Sequence, residues 1–90
     1  MILIVCRSIV IIGTTCKEMK IPDLEAFGAQ VRAQRERLGV SQEELAYRAG
    51  MHRTYLGGVE RGERNIGLLN LLRIARALGV HASHLLPPGD

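Results

Sequence analysis

The chain has 90 residues, 47% of them hydrophobic, with one Phe, two Tyr and no Trp. That suffices for one small domain whose core is built from Leu, Ile, Val and Ala. A net charge of +3 leans toward anionic partners, two cysteines exclude a disulfide framework, and the apolar start MILIVCRSIVII is too short to span a membrane.

The basic residues are unevenly placed. Nine arginines fall within 32–76, whereas lysine occurs only at Lys17 and Lys20. Arginine is the better residue for forked contact with phosphates and base edges. The apolar start has no basic leading region and is broken by Arg7, so it does not read as an export signal. With Cys6 and Cys16 unpaired, the expected location is the cytoplasm.

Two regions are expected: an apolar extension over 1–20 and a helical domain over 21–88. The run Ile9-Val10-Ile11-Ile12 before Gly13 favours a strand. Three readings of the extension stay open. It pairs with its twin in a dimer, it covers part of the helical core, or translation starts at Met19 and the first residues are a disordered leader.

From Pro22 the pattern turns helical. Pro22 and Asp23 mark a helix start, Leu24, Phe27, Val31 and Leu38 fall on one face, and Gly39 is the stop. Ser41 with Glu44 forms a capping box opening a second helix, with Leu45, Ala46 and Ala49 inward and Gly50 as the turn. A third helix runs from about His52 to Glu60 with Leu56 and Val59 inward. A fourth takes 68–78, with Leu68, Leu71, Leu72, Ala75 and Leu78 inside and Gly79 at its end. A last turn near 82–86 buries Leu85 and Leu86 before Pro87 and Pro88. The fold class is all-α: a compact five-helix bundle with an extended or disordered N-terminal segment.

Two short helices around a glycine turn, with arginine opening the second, form the layout of a helix-turn-helix. If Leu56 and Val59 face the core, residues near 53, 54, 57 and 58 lie on the outer side of the third helix. Its start is the part that reaches base edges. Arg53 can donate two hydrogen bonds to guanine, and Thr54 can bond a base or pack on a thymine methyl. Gly57-Gly58 costs on the order of 1 kcal/mol per residue relative to Ala. Either a close backbone approach explains the pair or the helix is left loose until it binds.

The segments Ser41-Gln42-Glu43-Glu44-Leu45-Ala46, Gly50, Val59-Glu60-Arg61-Gly62 and Leu71-Leu72-Arg73-Ile74-Ala75-Arg76-Ala77-Leu78-Gly79-Val80 resemble the Cro/C1-type (XRE) repressor family. Within it, His52-Arg53-Thr54-Tyr55 and Glu60-Arg61-Gly62-Glu63-Arg64-Asn65 are similar to the controller proteins of restriction–modification systems. The resemblance implies a lambda-repressor-like fold and sequence-specific binding of double-stranded DNA, as a homodimer on a two-fold operator. It places His52, Arg53, Thr54 and Gly58 toward bases, and Gln42, Tyr55, Arg61, Arg64 and Asn65 toward phosphates. It pairs Glu60 with Arg35 across the first and third helices. Solvated surface charges, a capping-turn amide at Gln42 and core packing of Tyr55 are the plainer alternatives.

No nucleophile–base arrangement is visible, so no enzyme activity or cofactor is expected. His81, His84, Cys6 and Cys16 match no zinc module. The expected dimer surface uses Leu69, Leu85 and Leu86, with the strand at 2–12 as a further element. The rival reading is an antitoxin or adaptor whose apolar 1–12 segment docks on a toxin or other partner protein.

Overall fold

The computed structural model describes the backbone of residues 4–5, 9–12, 15–18 and 21–87, and the side chains of 21–87. Ile4–Val5 (β1), Ile9–Ile12 (β2) and Thr15–Glu18 (β3) run antiparallel in the order β1-β2-β3, with Val5 opposite Val10 and Ile11 opposite Cys16. The expectations that the first residues clasp a twin, cover the core or dock a partner rest on side chains outside the described residues. So does the stop assigned to Pro88.

The body of the protein is a compact all-α unit of four α-helices, not five: Pro22–Leu38 (α1), Gln42–Ala49 (α2), Arg53–Glu60 (α3) and Leu68–Leu78 (α4). The expected fifth helix is a single 3-10 turn at Ala82–His84. Its start is held by the His81 ring nitrogen Nδ1, which accepts from the Ser83 N–H at 3.2 Å. Pro87 follows too soon for a helix to continue, since proline has no N–H and disfavours helix in the residue before it.

Local sequence accounts for the helix ends. Ser41 Oγ accepts the Glu44 N–H at 3.0 Å, capping α2. The other half of the box is replaced, because the Glu44 carboxylate accepts from Arg48 at 2.8 Å one turn on. Gly50 takes the left-handed φ of 71° that turns the chain from α2 toward α3, and its N–H bonds the Ala46 and Tyr47 carbonyls.

One core joins all four helices. Phe27 and Val31 of α1, Leu45, Ala46 and Ala49 of α2, Leu56 and Val59 of α3, and Ile74, Ala75 and Leu78 of α4 are buried together with Leu85. Three leucines assigned to the inside are instead exposed: Leu38, Leu68 and Leu86. Each lies at the end of a helix or beyond one, where the apolar stripe outruns the core. Leu85 is fully buried, so it cannot belong to a dimer surface; Leu69 and Leu86 remain outside. Among the described residues, no helix is long and apolar enough to cross a membrane.

Candidate nucleic-acid interface

The α2–turn–α3 unit leaves the start of α3 in solvent. His52 is the residue before the helix, not its first turn, and makes no side-chain cap. His52, Arg53 and Thr54 are all exposed, while Leu56 and Val59 on the opposite side are buried. Among the described residues, Arg53 is paired with no carboxylate. Its guanidinium stands on solvent at the N-terminal end of a helix whose inner face is fixed in the core.

Behind that surface, α3 is fastened to α1 and α2 by one polar cluster. Arg35 Nε donates to Glu60 Oε2 at 2.7 Å and Nη2 to Oε1 at 3.1 Å, a forked pair. Arg35 Nη1 also donates to the Val40 carbonyl at 3.0 Å. Gln42 Nε2 completes the set, donating to Glu60 Oε1 at 2.9 Å. The two charged side chains are nearly sealed, at 12% exposure for Arg35 and 2% for Glu60. The hydrogen bonds that Arg35 donates to Glu60 raise its pKa above the ordinary arginine value, against burial, which lowers it less. A carboxylate this deep is tolerable because three donors reach it.

This cluster gives Gln42 a neighbour that its sequence position does not reveal. Its amide nitrogen is engaged with Glu60, and its oxygen faces Gly57. Tyr55 is half-buried, and its hydroxyl accepts from Asn70 Nδ2 of α4 at 3.2 Å. Arg61 is exposed and gripped by Glu63 through two hydrogen bonds of 2.9 and 3.1 Å. These bonds raise the Arg61 pKa. Asn65 is exposed in the loop that follows.

Gly58 does not stand as a base-facing position in its own right, because it is buried. A Cβ there would come 3.0 Å from Arg64 Cγ and 3.3 Å from Arg64 Nε. At Gly57 a Cβ would stand 3.2 Å from Arg61 Nη1 and 3.6 Å from Gln42 Oε1. The close approach at the glycine pair is therefore made by side chains of this same protein, arginines from beyond the helix and the amide of Gln42. Sequence spacing missed this, since Arg61 turns its guanidinium back over Gly57 from the end of α3, and Arg64 reaches Gly58 only after Gly62 reverses the chain at φ 77°.

Comparison with known proteins agrees with the geometry. The helix-turn-helix family (HTH_3) matches residues 31–85. The control protein C.BamHI of Bacillus amyloliquefaciens is 46% identical over 61 residues, spanning 67% of this chain and 75% of that protein. The restriction-modification controller protein C.AhdI from Aeromonas hydrophila superposes with a TM-score of 0.72 at 45% identity, covering 73% of this chain and 100% of that one. The controller C.Esp1396I, solved as a tetramer in complex with its natural 35 base-pair operator, gives a TM-score of 0.62 at 34% identity over 64% of this chain and 76% of that one. The chain thus belongs to the XRE-type helix-turn-helix family.

Proposed function

We propose that the protein is a transcriptional regulator of the controller type, binding double-stranded DNA in a sequence-specific manner as a homodimer on a two-fold operator. The observation that carries this reading is the solvent-facing Arg53–Thr54 edge on a helix locked from behind by Arg35, Glu60 and Gln42. A recognition element needs both properties: free donors at its leading end and a rigid mount. The relative solved on its own operator supports the same use of the fold.

In this reading residues 21–88 are the DNA-binding domain and 1–20 an extension to it, and the protein works in the cytoplasm. Arg53 and Thr54 read base edges, and His52 adjoins them at the groove. Gln42, Tyr55, Arg61 and Asn65 border the sugar–phosphate chain, where contacts give affinity and register but no sequence choice. Phosphate at the start of α2 also meets unpaired backbone N–H groups of its first turn. One helix covers only about 4–5 base pairs, so two copies are needed, with half-sites about 34 Å apart on one side of the duplex.

The test is a gel shift with DNA from upstream of the protein's own gene, against a scrambled duplex of equal length. A shift confined to the upstream DNA at moderate salt is expected. Equal retention of both duplexes refutes sequence-specific binding.

A further inference from the structure

The outer face of α3 does not end at Thr54. Helical spacing continues it one turn on, to positions 57 and 58. Both are glycine and contribute no side chain, yet the face is not bare. The aliphatic stem and Nε of Arg64 lie along Gly58, and Nη1 of Arg61 lies over Gly57. The two arginines differ in how they are held. Arg61 is gripped by Glu63 through two hydrogen bonds. Arg64 is exposed and, among the described residues, paired with no carboxylate. Its stem is seated by the missing Cβ, while its guanidinium stays available.

We infer that Arg64 supplies the side chain that Gly58 lacks and acts as a specificity-determining, base-reading residue of α3, rather than as a phosphate grip. The inference rests on the DNA-binding reading above. Gly58 is then the berth for Arg64: a flat stretch of helix across which a forked donor reaches the same groove as Arg53. Such a fork matches guanine O6 and N7. A phosphate grip would need no seat on the helix, since phosphates lie on both flanks of the groove. The seat also accounts for a helix-weakening glycine in the second turn of α3.

The coupling can be tested by selecting binding sites from a pool of random duplexes with the wild-type chain, Arg64→Ala, Arg64→Lys, Gly58→Ala and the Gly58→Ala/Arg64→Ala double variant. The Cβ at 58 meets only a flexible side chain, so Gly58→Ala moves Arg64 and leaves the helix in place; circular dichroism checks this. Arg64→Ala and Gly58→Ala are expected to lose preference at one and the same base pair, by about tenfold. The double variant should lose no more than either alone. Arg64→Lys keeps the charge without the fork, and should retain affinity but not the preference. Uniform weakening across all sequences in Arg64→Ala, or a wild-type preference in Gly58→Ala, overturns the inference while leaving the DNA-binding reading intact. If the wild-type chain enriches no sequence, both fall together.

Discussion

Gly28 of α1 lies directly against the backbone of Glu60 in α3. A Cβ at position 28 would come within 2.5 Å of the Glu60 carbonyl oxygen, and closer still to that of Val59. The helices meet here backbone to backbone, which only glycine permits. The contact sits beside the Arg35–Glu60 pair, so the same stretch of α3 is positioned by close packing and by charge. Gly28→Ala cannot be accommodated by a side-chain rotation, because the obstruction is main chain. We expect a loss of about 3 kcal/mol or more, at the upper end for overpacked cores. Urea denaturation measures it, and a midpoint equal to that of the wild-type chain would show that α1 and α3 can part without cost.

The Arg35–Glu60–Gln42 cluster yields a second expectation. Arg35→Ala leaves a carboxylate at 2% exposure with Gln42 as its remaining side-chain donor. Breaking a buried pair from one side costs about 3–5 kcal/mol, mostly the penalty of stranding the other charge. Arg35→Met combined with Glu60→Leu removes both charges and should recover most of that loss in a denaturant titration. DNA affinity should recover less, because the pair also orients α3. The pKa of Arg35 is raised, so its contribution is complete below the unfolded arginine value and is lost only as pH climbs through the still higher folded value. Arg35 therefore introduces no pH dependence near neutrality. With Arg35→Met and Glu60→Leu also measured singly, losses that simply add in the double variant would show no coupling between the two residues.

What the sequence makes legible here is local. The Ser41 cap, the Gly50 turn and the Gly79 stop each depend on a few neighbouring residues, and α2 and α4 begin and end at or within a residue of where those signals place them. The inner residues of α2 and α3 likewise follow from helical spacing. The parts that stay hidden depend on distant neighbours. Gly28 inside α1 reads only as a weak helix former until Val59 and Glu60 are seen against it. Gln42 reads as a capping-turn amide or phosphate ligand, and nothing within its own helix points to Glu60, 18 positions on. Leu85 and Leu86 are indistinguishable by type, yet one is sealed in the core and the other is half in solvent. The berth of Arg64 on Gly58 needs the chain reversal at Gly62.

Arg53 carries the readout expectation. It is exposed, opens α3 and has no competing carboxylate among the described residues. Arg53→Ala should cost about 1–3 kcal/mol on the selected site and relax preference at a single base pair. Stability should hardly change, since the side chain packs against nothing in the core. Base-by-base competition in gel shifts checks this, and a footprint with unaltered preference would take Arg53 out of the readout.

Dimerisation is expected to use α4 and the chain end, and the burial pattern narrows which residues. Leu69 is 59% exposed and Leu86 is 50% exposed, whereas Leu85 is at 0%. Exposed leucines of this size on a small domain gain most by being covered in a second copy. Leu69→Glu places a charge on that surface without touching the core, so the monomer should keep its melting behaviour at low concentration. Burying the introduced carboxylate is unfavourable, and loss of a central apolar anchor typically costs about 2 kcal/mol or more of association. Sedimentation equilibrium should therefore show the variant as a monomer at concentrations where the wild-type chain is dimeric. Binding to a duplex with two half-sites should fall toward the affinity for one. A variant that still sediments as a dimer would place the contact elsewhere than Leu69.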